Sequence, residues 1–155
     1  MSRKWQVMQV LLNLLKNAAE AIGEDGGHIS IKLQQEKQKT HLDICNDAAP
    51  IPEEMLPNIF VPFYTTKASG SGIGLSLSRY IMRLHGGTLV HLTRNKWTVF
   101  RMTFQRFLSP HKTIPQIIYY ILLAIRRGGS DFIGVRSGFH QHLIAIGQQF
   151  VILWM

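Results

Sequence analysis

The sequence predicts an α/β (α+β) fold, on two observations. Two stretches, around residues 7–22 and 73–84, carry apolar residues at the i, i+3, i+4 recurrence of amphipathic helices. Four shorter stretches alternate apolar with polar residues, as strands with one buried face do. The chain has 155 residues, which suits one domain with an appendage; 46% hydrophobic against 17% charged residues provides for a packed core and argues against wholesale disorder.

The first helix is written by Val7, Val10, Leu11, Leu14, Leu15, Ala18 and Ile22, with Gln9, Asn13, Asn17, Glu20 and Glu24 gathered on the other side. Asn17 falls at the border of the two sides, a position that looks into a cleft. Gly23 and the pair Gly26-Gly27 stop this helix. Ile29, Ile31 and Leu33 predict a first strand, residues 34–39 a polar turn, and Leu42 and Ile44 a second strand that pairs with the first and runs out at Cys45-Asn46-Asp47. Pro50-Ile51-Pro52-Glu53-Glu54 opens a short helix, since proline fits the first turn and acids favour the positive end of the helix dipole. Residues 60–67 read as irregular and aromatic-rich. Ile73, Leu77, Ile81 and Leu84 mark the second long helix, ended by Gly86-Gly87, and residues 88–92 and 97–104 form a last hairpin around Arg94-Asn95-Lys96.

The patterned domain, residues 1–105, ends there. Residues 106–155 form an apolar, basic tail in which only a helix at 115–127 suggests itself. Its functional reading is a dimerisation or membrane-surface segment, and its bland reading an added terminus with no selected role. The longest apolar run in the tail, residues 117–125, falls far short of the roughly 20 residues that cross a bilayer. The single cysteine, Cys45, excludes an intramolecular disulfide framework and a multi-cysteine metal site, which suits a reducing cytoplasm and a small core residue. The net charge of +8 is spread along the chain, so no nucleic-acid surface is read from it.

The chemistry concentrates in three places. Gly70-Ser71-Gly72-Ile73-Gly74-Leu75 stands at the mouth of the second helix, where glycines let the backbone approach a phosphate and free N–H groups bind anions. It has neither the dinucleotide spacing nor the P-loop lysine; taken alone, it is equally a flexible linker. Asn13 and Asn17 lie one turn apart on the first helix, and an amide oxygen is a hard, neutral ligand suited to Mg²⁺. Alone, they read as a solvated helix face.

Together they are more specific. Gln9-Val-Leu-Leu-Asn13-Leu-Leu-Lys16-Asn17-Ala-Ala-Glu20-Ala resembles the N box of the sensor histidine kinases, which share an ATP-binding fold with gyrase, the heat-shock chaperone ATPase and the mismatch-repair ATPases. Ile59-Phe60-Val-Pro62-Phe63-Tyr-Thr65-Thr66-Lys67 is similar to their F box, and residues 70–75 to their second glycine box, in the same order and at matching separation. The resemblance covers roughly residues 5–105 of the chain.

It implies a two-layer sandwich of the Bergerat type, with helices on one face of a mixed sheet and ATP between the N-box helix and a mobile lid. It implies that Asn17 coordinates Mg²⁺ bridging the phosphates, that Asn13 supports that site and that Lys16 reaches a phosphate oxygen. Gly70, Gly72 and Gly74 become the lid hinge and the phosphate-facing helix start, and Phe60 and Phe63 the lid anchors. Lys67 approaches the γ-phosphate or is simply an exposed lysine. Ile51, Thr66, Ile73 and Leu75, the other residues of these boxes, join the nucleotide-facing set; Glu20 reads as solvated rather than as a base. At the first glycine box the sequence departs from the family pattern: Asn46-Asp47-Ala48-Ala49-Pro50-Ile51-Pro52 lacks both glycines. Anchored on Ile51-Pro52, Asn46 takes the place of the adenine-binding aspartate, and its amide can still accept from and donate to adenine. The other register gives that contact to Asp47.

None of the seven histidines is followed by an acid, so the His-Glu/Asp acceptor pattern is missing, and a strand that normally precedes the N-box helix is not seen. The resemblance therefore implies the cytoplasmic ATP-binding catalytic piece of a longer kinase. It would transfer the γ-phosphoryl to a histidine on a separate dimerisation domain, with a response regulator downstream, and full-length kinases of this kind are commonly membrane-attached. Two alternatives stand beside it: a serine kinase of the anti-sigma type, and a nucleotide-insensitive interaction module.

Overall fold

The computed structural model describes residues 3–24, 26–68, 70–105 and 132–135. The expected helix at 115–127 lies outside them. Helix α1 (Arg3–Ile22) starts a turn earlier than the apolar recurrence suggested and adds Met8 to its buried stripe. It ends at Gly23, whose N–H returns to the Ala19 carbonyl at 3.2 Å. Strands β1 (Gly27–Gln35) and β2 (Lys39–Asn46) form a hairpin that runs two residues deeper into the polar stretch 34–39 than the sequence indicated.

A single 3-10 helix (Glu53–Asn58) follows in place of a regular α-helix. Pro57 inside it has no N–H for an α-helical ladder, so the segment stays short. Helix α2 (Gly74–Leu84) and the hairpin β3 (Thr88–Arg94) and β4 (Trp97–Gln105) complete the predicted elements. The hairpin turns on Asn95 and Lys96, both at positive φ (48° and 70°), the mirror-image turn whose twist matches the flanking strands. A fifth strand, β5 (Phe132–Val135), comes from the tail and was not predicted.

The sheet order is β3-β4-β2-β1-β5. The resemblance implied a mixed sheet, but every pairing among the described strands is antiparallel. The reason lies in the crossover. β2 and β3 run in the same direction, yet β4 returns from β3 and inserts between them, antiparallel to both.

Alternation then sorts the side chains. Ile29, Ile31, Leu42, Ile44, Leu89, Phe100, Met102 and Phe104 face the helices and form one core with the α1 stripe and with Ile81 and Met82 of α2. The two-layer arrangement follows: both helices cover one face of the sheet.

The other face is polar. Asp43 and Arg101 sit directly opposite in register and form a bidentate pair, Nε to Oδ1 and Nη2 to Oδ2 both at 2.7 Å, with side-chain exposures of 3% and 15%. Beside them, His41 Nδ1 lies 2.9 Å from Thr103 Oγ1. Cys45 is buried on this face; burial, with Asp43 nearby, pushes its thiol pKa up, so it stays protonated and unreactive.

Candidate functional site

The polar border of α1 looks towards the start of α2, and the two helices touch there. Asn13 Nδ2 donates to Ser78 Oγ at 3.0 Å, and Ser78 is buried. Gly74 makes this approach possible: a Cβ on it would lie 2.5 Å from Asn13 Oδ1. No side chain caps the N-terminus of α2, so its first N–H groups are left for water or an anion.

One turn further along α1, Lys67 from the loop between the 3-10 helix and α2 comes down on the same border. Its Nζ donates to Asn17 Oδ1 at 3.3 Å and pairs with the Glu20 carboxylate. Lys16 lies 3.7 Å from the other Glu20 oxygen. Glu20, expected as a solvated carboxylate, is thus the anionic partner of two lysines, one of them on the loop. The half-buried Asn17 amide already holds a cation against its oxygen.

The loop is tied at its neck. Phe63 N–H donates to the Gly72 carbonyl at 2.9 Å, and both residues are left-handed, with φ of 67° and 66°. A Cβ on Gly72 would lie 2.5 Å from the Phe63 carbonyl carbon, so only glycine fits this crossing. Within the loop, Lys67 N–H donates to Thr65 Oγ1 at 3.1 Å and Gly70 N–H to the Lys67 carbonyl at 3.1 Å.

Phe60 and Phe63, expected to act alike as anchors, do different things. Phe60 is half-buried, meets Phe100 edge-on at 6.4 Å and lies under the Arg79 guanidinium, 4.6 Å from the ring centroid. Phe63 is 74% exposed and contributes through its backbone. Thr66 is exposed, and Ile73 is partly so; Ile51 and Leu75 pack half-buried against the core together with Ala48 and Ile59.

At the first glycine box the two candidate side chains, Asn46 and Asp47, have different partners. Asp47 is turned back onto β1: its Oδ1 accepts from His28 N–H at 2.7 Å and its Oδ2 lies 2.8 Å from His28 Nδ1. Desolvation pushes the Asp47 carboxyl up, but these His28 bonds outweigh it and hold the pKa below its ordinary value. Asn46 ends β2 on the helix-facing side, buried, with its Oδ1 accepting from Ala48 N–H at 3.3 Å. Asn46 thus lies buried on the side of the sheet that carries the helices, while the Asp47 carboxylate is paired with His28.

A cavity of about 290 Å³ opens on the opposite sheet face, lined among others by Ser30, Lys32, Asp43, Arg94 and Trp97, and none of the residues assigned from the three boxes lines it. Among the described residues no group of three or more His, Cys, Asp or Glu is placed to hold a metal ion.

Residues 3–107 match the family described as histidine kinase-, DNA gyrase B- and HSP90-like ATPase, about two thirds of the chain. The chain belongs to this ATPase family. It is 39% identical over 112 residues to the sensory histidine kinase/phosphatase NtrB of Rhizobium leguminosarum bv. phaseoli, covering 63% of this chain and 29% of that relative. Among solved structures, the nucleotide-free catalytic domain of histidine kinase ThkA superposes with a TM-score of 0.59 at 39% identity, over 65% of this chain and 67% of that one. ThkA in complex with the response regulator protein TrrA superposes with a TM-score of 0.54 at 38% identity, over 64% of this chain and 28% of that one. The chain thus spans less than a third of the NtrB relative's length and corresponds to the catalytic ATPase domain of such kinases.

The boxes shared with this ATPase family were legible in sequence, but three contributors to the site were not. Ser78 and the pairing of Glu20 with Lys67 depend on which faces of α1, α2 and the loop meet. The His28–Asp47 clamp joins residues 19 positions apart. Only the polar spacing of Asn13, Lys16, Asn17 and Glu20 along α1 hinted at a charged partner.

Proposed function

We propose that this chain is the ATP-binding catalytic portion of a two-component sensor histidine kinase, which holds Mg·ATP and delivers the γ-phosphoryl to a histidine on a separate dimerisation domain. The observation that carries the reading is the convergence on one cleft of Asn17, Lys67 and the uncapped start of α2, with Gly74 seated against Asn13.

The donor chemistry fits magnesium. Asn17 Oδ1 already lies against an ammonium cation, and Mg²⁺ takes hard oxygen ligands, keeping most of its shell for water and phosphate. One amide oxygen from the protein suits that habit, in keeping with the lack of a three-residue cluster among the described residues. Bound there, the ion would neutralise phosphate charge. Phosphoryl transfer asks little covalent chemistry of the protein; what counts is position and charge. Asn17 and Asn13 fix the metal end, the α2 N–H groups receive phosphate oxygens, and Lys67, on a loop tied by the Phe63–Gly72 crossing, brings a mobile positive charge to the γ-phosphate end. Asn46, facing the cleft from the end of β2, offers its amide to adenine, and the half-buried Ile51 and Leu75 give the base an apolar surface.

The partner domain supplies the acceptor. Ile73, Leu77, Tyr80 and Leu84 leave an exposed apolar stripe at helical spacing along α2, with Val61 and Phe63 exposed on the adjacent loop. Such a stripe suits a helix of the phosphoacceptor domain. A response regulator as the next partner is supported by the ThkA–TrrA complex. Among the described residues no helix is long and apolar enough to cross a membrane; attachment of a longer chain to one, a cytoplasmic site of action, and a boundary of the ATP-binding unit near residue 105 belong to the same proposal.

The test is a titration of a fluorescent ATP analogue with and without Mg²⁺. The reading expects saturable, Mg²⁺-dependent binding that Asn17→Ala strips of its Mg²⁺ dependence. No saturable signal from a folded sample would favour the nucleotide-insensitive module, and an unchanged Asn17→Ala titration would refute the metal role.

A further inference from the structure

Asn46, at the end of β2, is 2% exposed, yet only one end of its amide is engaged. The Oδ1 accepts from Ala48 N–H at 3.3 Å. That bond fixes which way the amide points, because the flipped group would set its NH₂ against the Ala48 N–H, donor against donor. The Nδ2 has no hydrogen-bond partner among the described residues. Nor is it walled in. Among the described residues His91 Nε2 is the one fully buried polar side-chain atom without a partner, so the Asn46 NH₂ keeps an opening. A donor on a side chain buried this far is costly to leave unpaired, and the opening is where water or a ligand meets it.

We propose that Asn46 sets base selectivity at the nucleotide site, and that its outward NH₂ lets the cleft take 6-oxo purine nucleotides, of the inosine class, as readily as ATP. The inference rests on the proposed reading of the cleft as a nucleotide site with the base at the end of β2.

The two kinds of base differ along one edge. Adenine presents a donor, the 6-amino group, beside an acceptor, N1. A 6-oxo purine presents an acceptor, O6, beside a donor, N1–H. The outward NH₂ of Asn46 needs an acceptor, and N1 of adenine and O6 of the oxo base are neighbours on that edge, so a small slide of the base brings either to it. The second lone pair of Oδ1 then takes whichever donor stands alongside, the 6-amino group or N1–H. A carboxylate in this place would only accept: it would welcome the 6-amino group and oppose O6 with a like partial charge.

The neighbouring groups add no such penalty. The carboxylate next in sequence, Asp47, has both oxygens engaged by His28. Thr98, opposite Asn46 in register and also buried, carries a hydroxyl that can turn to donate or accept. On the other side Asn46 is opposite Ile29, which is apolar and tells the two bases apart by neither charge nor hydrogen bond.

Competition of ATP and of inosine triphosphate against a fluorescent ATP analogue, with Mg²⁺ and the intact chain, tests the inference. Inosine triphosphate changes the 6-position edge and adds no 2-amino group. The two dissociation constants are expected within about threefold of each other, and Asn46→Asp is expected to weaken inosine triphosphate relative to ATP by about tenfold or more. A wider preference for ATP in the parent chain would overturn the inference and leave the nucleotide site standing, whereas a folded parent that binds neither would overturn both. A folded Asn46→Asp protein with the parent's ratio would show that another group reads the base, and would also overturn it. The parent-chain comparison decides even if the buried carboxylate keeps the variant from folding.

Discussion

Gly72→Ala isolates the loop neck from the rest of the protein. The alanine would have to hold φ near 66°, which for an L-residue costs about 1–2 kcal/mol. Its Cβ would also sit 2.5 Å from the Phe63 carbonyl carbon and 2.8 Å from Phe63 Cα and O, atoms of a backbone that is itself left-handed and has little room to yield. Overpacking of that kind costs about 1–3 kcal/mol. Because the loop can open, part of the overlap is relieved, leaving about 2–3 kcal/mol against the tied neck. If nucleotide needs the neck closed, affinity falls by about 30- to 150-fold, at 1.4 kcal/mol per factor of ten. The core is untouched, since Val61 and Phe63 are exposed, so the thermal midpoint should barely move. Titrating Mg·ATP against the parent and Gly72→Ala proteins, with thermal unfolding alongside, gives both numbers. A dissociation constant within threefold of the parent's in a folded variant would show that the crossing does not govern binding.

Two further outcomes follow from the two faces of the sheet. Asp43→Ala leaves the Arg101 guanidinium, 15% exposed, without its bidentate partner; breaking a buried pair in this way is expected to cost about 3–5 kcal/mol in urea unfolding while leaving Mg·ATP affinity unchanged, because Asp43 lies on the face away from α1. His91 packs edge-on against Phe100 at 5.5 Å with Nε2 buried and unpartnered, and burial holds its pKa below the ordinary value. The unfolded chain therefore takes that proton first. Stability is full above about pH 6.5 and declines as the pH falls from there towards the lower folded-state pKa. His91→Phe should flatten this part of a stability-against-pH curve, and an unaltered slope would assign the loss to another group.

How much the sequence discloses depends on how local the physics is. The α1 stripe and the strand alternation in β1 and β2 are written in neighbouring residues and legible from spacing, whereas the close approach of Gly74 to Asn13 depends on how two distant helices meet. Asn17 and Lys67 are legible as members of boxes, but their meeting is not, because it depends on the path of a loop 50 positions away. The insertion of β4 between β2 and β3 is a choice of pairing partner, which alternation cannot express. β5 is hidden for the same reason: four residues in a glycine-punctuated, apolar tail carry no period, and their pairing with β1 is again a choice of partner. The two candidate registers at Asn46 and Asp47 differ by one residue, and the engagement of Asp47 by His28 is a contact that local sequence does not express.

The contact between Lys67 and the Asn17–Glu20 pair sets how the cleft exchanges its charges. At rest an ammonium group occupies the amide oxygen proposed for the metal, held by a partly exposed carboxylate and so only weakly. On the proposed function, a divalent ion taken up with the nucleotide at Asn17 would have to displace this tethered ammonium, which would then be free to pair with phosphate oxygens. Loss of the product would let the tether fall back onto the Glu20 carboxylate, leaving the resting cleft with its oxygens again paired to an ammonium.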